Sequence, residues 1–223
     1  MIETFRTVDA AAEAAAFAVG RQLAEGLRTH GRASLVATGG RSPGPVFDRL
    51  LQVANVDWAR VVVTLSDERC VAESDPASNA GLVRERLIKR TPAKAHLLPL
   101  WPEPPDVALQ AIMPFDAVML GMGEDGHIAS LIPGDLGLAA AMDPASQRLT
   151  VSVPEGLGSP PLPRVSLTLA ALLQSRAIFL LIAGETKREV IARAQDGADL
   201  PVAALISQAR VPVRILWSPA REA

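Results

Sequence analysis

One histidine, two acids and three glycines crowd into GMGEDGH at residues 121–127. An imidazole exchanges a proton near neutral pH, and a neighbouring carboxylate can hold its ring in place. His127 with Asp125 therefore has the makings of a general base, and apolar FDAVML before it and ASLIP after it bracket the pair. In SDER (66–69) three charges follow the apolar run RVVVTL. Arg69 there suits an anionic or carbonyl oxygen, with Asp67 or Glu68 orienting it; the ordinary alternative is an internal ion pair bracing the loop. GGRSP (39–43) supplies a sharp turn at Gly39 and Gly40, a hydroxyl at Ser42 and a helix start near Pro43. Together these make a phosphate cradle of backbone N–H groups. It is neither a Walker loop nor a GxGxxG fingerprint. In GETK (184–187), Lys187 falls in the first turn of a helix, where a cation is unfavourable unless an anion binds beside it. Arg164, after the proline-rich loop PEGLGSPPLPR, can reach the same place. Taken singly, each feature has a plain structural reading as a turn, an ion pair or a solvated charge.

The elements that must position these residues read as alternating helices and strands. An Ala-rich amphipathic helix carries Phe17, Gly20, Ala24 and Leu27 and ends at Gly31. SLVAT (34–38) is a buried strand, followed by a helix bearing Val46, Phe47, Leu50 and Leu51. RVVVTL and FDAVML are further strands. Ser78 caps a helix running to about Arg90, and TPAKAHLLPLWPEPP ends helical structure. Beyond Gly134 the pattern predicts a strand at LTVSV, a helix at LTLAALLQS, a strand at AIFLLIA, a helix capped by Thr186, a helix starting at the proline of PVAALI and a closing strand at VRILW. Alternation of this kind argues for a three-layer α/β/α sandwich with a Rossmann-like, mostly parallel sheet. Ligands of such sheets bind beyond the carboxyl ends of the strands. GGRSP, SDER, GMGEDGH and GETK each follow a strand, so all four emerge at that edge. This convergence says more than any one loop.

The 223 residues suit one α/β domain spanning 1–223, and with 49% apolar residues a sizeable core can be buried. A net charge of −2 without a basic run gives no reason to expect nucleic acid or a membrane as partner. Cys70 is the only cysteine, which rules out an internal disulfide and a thiolate metal cage and fits a reducing compartment. His30 and His96 lack clustered ligand partners, and no HExxH or zinc spacing occurs, so no metal is expected. The amino-terminal segment lacks a signal-peptide pattern, and the longest apolar stretches are far short of the ~20 residues that span a bilayer. A cytoplasmic protein, monomeric or homodimeric, is expected.

In order along the chain, ATGGRSPGPVFDRL, SDERCVAESDPASN, FDAVMLGMGEDGHIASLIPG, RVSLTLAAL and IAGETKREVI resemble segments of the 6-phosphogluconolactonase family, which is related to the glucosamine-6-phosphate deaminases. The resemblance runs from about Ser34 to about Trp217, and GMGEDGHIASLIPG is its most specific part. It implies hydrolysis of 6-phospho-D-glucono-1,5-lactone to 6-phospho-D-gluconate in the oxidative pentose phosphate pathway, without metal or organic cofactor. By position it implies His127 as general base, Asp125 as its acid, Arg69 at the substrate, and Gly39, Gly40, Ser42, Arg164 and Lys187 at the phosphate. Arg41 stands where a small hydroxyl residue is usual and Ser42 where threonine is usual. The carboxyl-terminal LWSPAREA lacks the acid often seen after the tryptophan.

Water attack follows as the expected mechanism, with a developing oxyanion met by Arg69 or backbone N–H groups. A serine nucleophile is disfavoured because no GxSxG elbow is present. The nearest rival is a glucosamine-6-phosphate isomerase/deaminase, but that family has an acid in an AFNEP-like run where this chain has ASLIP, and DEY where this chain has DER. A non-catalytic sugar-phosphate sensor would keep Arg164 and Lys187 yet need no intact base. A nicotinamide-dependent dehydrogenase would need a dinucleotide fingerprint that is missing.

Overall fold

The structure is a computed structural model that describes residues 2–220 apart from 41, 54 and 104. Strand β1 (Ile2–Thr4) leads into helix α1 (Val8–His30). The Thr7 side chain caps that helix by accepting from the Ala10 N–H at 3.1 Å, and Gly31 ends it at φ 72°, a left-handed turn that glycine adopts without strain. Then follow β2 (Ala33–Ala37), α2 (Pro43–Leu50), β3 (Val61–Leu65), β4 (Asp67–Arg69) and α3 (Asn79–Arg86). The middle of the chain forms β5 (His96–Leu97), α4 (Asp106–Ile112), β6 (Ala117–Leu120), α5 (Leu138–Ala141) and β7 (Thr150–Val153). The last third forms β8 (Arg164–Leu167), α6 (Leu169–Leu172), β9 (Ile178–Ala183), α7 (Glu185–Gln195), α8 (Pro201–Ser207) and β10 (Val213–Ser218).

Seven strands make one parallel sheet in the order β1-β10-β9-β6-β2-β3-β5. Helices flank it to give the α/β/α sandwich that the alternation predicts. Its central strands are apolar throughout because both faces are covered: Leu35, Val36, Val118, Met119, Leu120 and Leu180 are each fully buried. No described helix is long and apolar enough to cross a membrane.

A second, antiparallel sheet of order β4-β8-β7 departs from the sequence reading. SDER reads as a loop, yet Asp67–Arg69 is a strand paired with β8 in the register Asp67↔Ser166, Glu68↔Val165, Arg69↔Arg164. Its backbone pairing makes it a strand, although its residues carry no apolar alternation. Likewise LTLAALLQS is helical only over Leu169–Leu172, with Thr168 as its cap, and the RVSL before it is β8. The cap of α7 is Gly184 at φ 90°, so Thr186 lies inside the helix rather than at its start. β1 and β5 are too short to leave a readable pattern.

Candidate active site

The chain runs outward from β2 through β3 to β5, then resumes on the other side of β2 with β6, β9 and β10. The strand order thus reverses between β2 and β6, and a crevice opens where two crossovers leave in opposite directions. Gly39 and Gly40 follow β2 there, and the 121–127 loop follows β6. A cleft of about 820 Å3 occupies this edge. It is lined by Gly39, Gly40 and Ser42 from the first loop, Asp67 and Arg69 from β4, His127, Arg164 and Lys187. Of the candidate residues, Asp125, which bonds His127, and Glu68 are not among those lining the cleft.

Asp125 Oδ1 lies 2.6 Å from His127 Nδ1 and also accepts the His127 backbone N–H at 3.2 Å. The hydrogen bond from the imidazole holds the Asp125 carboxyl below the usual carboxylate range, against the opposing effect of burial. A carboxylate only accepts, so Nδ1 carries the proton in this contact, and in the neutral ring Nε2 is then the acceptor of an imidazole that lines the cleft. Gly123 makes room for the pair: a Cβ added there would stand 2.3 Å from His127 Nδ1 and 2.4 Å from Asp125 Oδ1. Gly126, at φ 80°, turns the loop, and the Val202 N–H of α8 ties it down by donating to the Gly126 carbonyl at 3.0 Å.

Opposite this pair, Arg69 and Arg164 are direct cross-strand partners. Like charges in that position repel. Arg164 is buried, at 3% exposure, and donates from Nη2 to the Pro160 carbonyl at 2.7 Å and from Nη1 to Ser130 Oγ at 3.3 Å. Burial pushes its guanidinium pKa down, the charge of Arg69 adds to that, and Asp67 works against both. Asp67 Oδ2 is 4.0 Å from Arg164 Nη1 and accepts from Ser130 Oγ at 2.7 Å, while Oδ1 accepts from Ser66 Oγ at 2.7 Å. The Asp67 carboxylate thus faces the Arg164 guanidinium. Neither arginine Nε has a hydrogen-bond partner among the described residues. Glu124 and Glu185 also line the cleft, so its acids and cations are matched in number, and the two guanidiniums brought side by side by β4 and β8 are the feature that suits an anionic ligand.

Helix ends add to this field. α1 begins at Val8, α2 after Ser42 and α7 after Gly184, and all three starts line the cleft. Their positive dipole ends favour an anion. Gly40 turns the first loop at φ 86°, and the Ser42 side chain makes no capping bond to α2, which leaves its hydroxyl for a ligand. Lys187 is the third residue of α7, in the first turn as the sequence predicts. Arg41 lies outside the described residues. Among the described residues no group of three or more His, Cys, Asp or Glu could hold a metal ion.

Two orientation roles differ from the sequence reading. Neither Asp67 nor Glu68 aims Arg69. Its Nη1 donates instead to the Ala77 carbonyl at 2.9 Å and to Asn79 Oδ1 at 2.5 Å. Glu68 braces the start of α3, accepting backbone N–H groups of Arg69, Asn79 and Ala80 at 2.7 Å and Ser78 Oγ at 3.0 Å. Burial raises its carboxyl pKa, and those donors oppose the rise. Asn79 and Ser130 were not singled out from sequence. Asn79 follows Ser78, which does cap α3 by accepting from Gly81 N–H at 3.0 Å, so locally the pair reads as a helix start, and its place at the end of SDERCVAESDPASN was the signal that could have marked Asn79.

Fold and site together define an α/β protein whose cleft at the topological switch point gathers Arg69, Arg164 and Lys187 with an imidazole held by Asp125. The model of the family "Glucosamine-6-phosphate isomerases/6-phosphogluconolactonase" matches residues 6–217. A 6-phosphogluconolactonase of Caulobacter vibrioides is 40% identical over 226 residues, covering 97% of each chain. One of Rhizobium meliloti is 37% identical over 229 residues, covering 96% of this chain and 97% of that one. The crystal structure of a 6-phosphogluconolactonase from Shewanella baltica superposes with a TM-score of 0.88 at 33% identity, covering 98% of this chain and 97% of the other. The chain belongs to the glucosamine-6-phosphate isomerase/6-phosphogluconolactonase family.

Proposed function

We propose that this chain hydrolyses 6-phospho-D-glucono-1,5-lactone to 6-phospho-D-gluconate in the oxidative pentose phosphate pathway, acting in the cytoplasm as a monomer or homodimer built from one α/β domain. The carrying observation is that His127, held by Asp125, shares a cleft with Arg69, Arg164 and Lys187. His127 Nε2 takes a proton from water as the water oxygen bonds to C1. Charge moves onto the C1 carbonyl oxygen, where the guanidinium of Arg69, which lines the cleft, can meet it. Collapse of the tetrahedral intermediate breaks the C1–O5 ring bond, and the imidazolium returns its proton to O5. Asp125 steadies the imidazolium while it exists. Gly39, Gly40, Ser42, Arg164 and Lys187 hold the phosphate, and Asp67 offsets part of the arginine charge, so that C1 stays beside His127.

A deaminase reading is disfavoured at Ile132. This buried, apolar residue stands where the AFNEP-like run of that family carries its acid. A sensor reading leaves the Asp125–His127 pair without a task. The test supplies freshly generated lactone and follows its loss with and without protein, subtracting spontaneous opening. Acceleration for the phosphorylated lactone, and little for phosphate-free gluconolactone, is the expected result. A folded His127→Ala protein with wild-type turnover would reject the mechanism, and ammonia release from glucosamine 6-phosphate would overturn the choice of substrate.

A further inference from the structure

We propose that Asn79 is a positioning residue for the reaction, acting through Arg69. This rests on the lactonase reading above. Asn79 is buried, at 2% exposure, and sits where three parts of the site meet. Its Oδ1 accepts from Arg69 Nη1 at 2.5 Å, and its Nδ2 donates to the Asp67 carbonyl at 2.8 Å. Its backbone N–H donates to Glu68, which fixes the start of α3. The phosphate loop closes over it: a Cβ on Gly39 would fall 1.8 Å from Asn79 Oδ1, so only glycine at that position lets the loop lie this close.

The consequence concerns where Arg69 points. A long guanidinium beside the like-charged Arg164 would otherwise swing away from it, toward solvent. Asn79 Oδ1 and the Ala77 carbonyl both take Nη1, which anchors one corner of the planar fork and directs the remaining N–H groups. An uncharged amide does this without neutralising Arg69, as a carboxylate would. The same side chain, through its bond to the Asp67 carbonyl, keeps β4 in register with the phosphate loop. Asn79 thereby sets the spacing between the anion clamp and the oxyanion donor.

A double-mutant cycle tests this with lactone turnover as the readout. Asn79→Ala is expected to lower kcat by ~10²-fold, the scale of an ångström-level misplacement, while KM changes by less than about threefold. Arg69→Ala is expected to lose a comparable factor. In the double variant the factors should not multiply: adding Asn79→Ala to Arg69→Ala should change kcat by less than about twofold, because the group it positions is gone. Multiplying factors, or an Asn79→Ala loss that falls on KM alone, would overturn the assignment. Should Asn79→Ala fail to fold, Asn79→Ser, which keeps a hydroxyl in the same space, goes through the same cycle under the same criteria. A wild-type protein that does not accelerate lactone opening would instead reject the functional reading itself.

Discussion

Gly123→Ala tests the role proposed for His127 and Asp125 with one methyl group. Gly123 is not among the positive-φ glycines, so its backbone accepts alanine and the perturbation is purely steric. The new Cβ would sit 2.3 Å from both Nδ1 and Cε1 of His127 and 2.4 Å from Asp125 Oδ1. Carbon contacts relax at about 3.5 Å, so ring and carboxylate must retreat by roughly 1.2 Å. The His127 side chain is 25% exposed and that of Asp125 47% exposed, so both can move toward solvent without unfolding the loop. A displacement of that size breaks the 2.6 Å bond between them and carries Nε2 off the line of attack. The expected loss is ~10²-fold in kcat, about 2.7 kcal/mol of transition-state stabilisation, with KM nearly constant because the arginines and Lys187 are untouched. The assay is initial-rate lactone hydrolysis corrected for spontaneous opening, with thermal melting to confirm the fold. Gly137→Ala is the control: its Cβ would meet nothing closer than 3.5 Å. Wild-type kcat in a folded Gly123→Ala protein would refute the role given to the His127–Asp125 contact.

Other perturbations separate the proposed base, the proposed anion clamp and the fold. Asp125→Asn lets an amide N–H donate to Nδ1, which shifts the imidazole proton to Nε2 and blocks the base; kcat should fall ~10²-fold with KM kept, as steady-state kinetics would show. Arg164→Ala strands the buried Asp67 beside a lost charge; chemical denaturation should show a loss of about 3 kcal/mol, and KM for the phosphorylated lactone should rise while that for phosphate-free lactone does not. Glu3 meets Arg214 through two 2.7 Å hydrogen bonds, which hold its carboxyl below the ordinary value of 4.5. A depressed folded-state pKa means stabilisation that is present above pH 4.5 and lost as pH falls through the lower, folded value. Glu3→Gln should therefore cost about 0.5 kcal/mol at pH 7, small because the pair is partly exposed, and the gap from wild type should close in acid.

Much of this arrangement is legible in the amino-acid sequence because local chemistry dictates it. Strands covered on both faces must be continuous apolar runs, so β2, β3, β6 and β9 announce themselves, and polar loops after parallel strands share one edge. Gly31 closes one helix by its left-handed backbone and Ser78 opens another by its side-chain oxygen, and neither needs a distant partner. The composition of GMGEDGH marks His127 and Asp125, since a dyad two residues apart can form within its own loop. Tertiary structure alone decided the rest. β4 is a strand because β8 pairs with it, and backbone hydrogen bonding between remote segments leaves no periodicity in either one. That pairing sets Arg69 opposite Arg164, places Ser130 between Asp67 and Arg164, and hands the aiming of Arg69 to Asn79 rather than to the acids beside it in the chain. Side-chain type limits which bonds can form, but contact across the molecule depends on how elements dock, and docking is settled by the whole core at once.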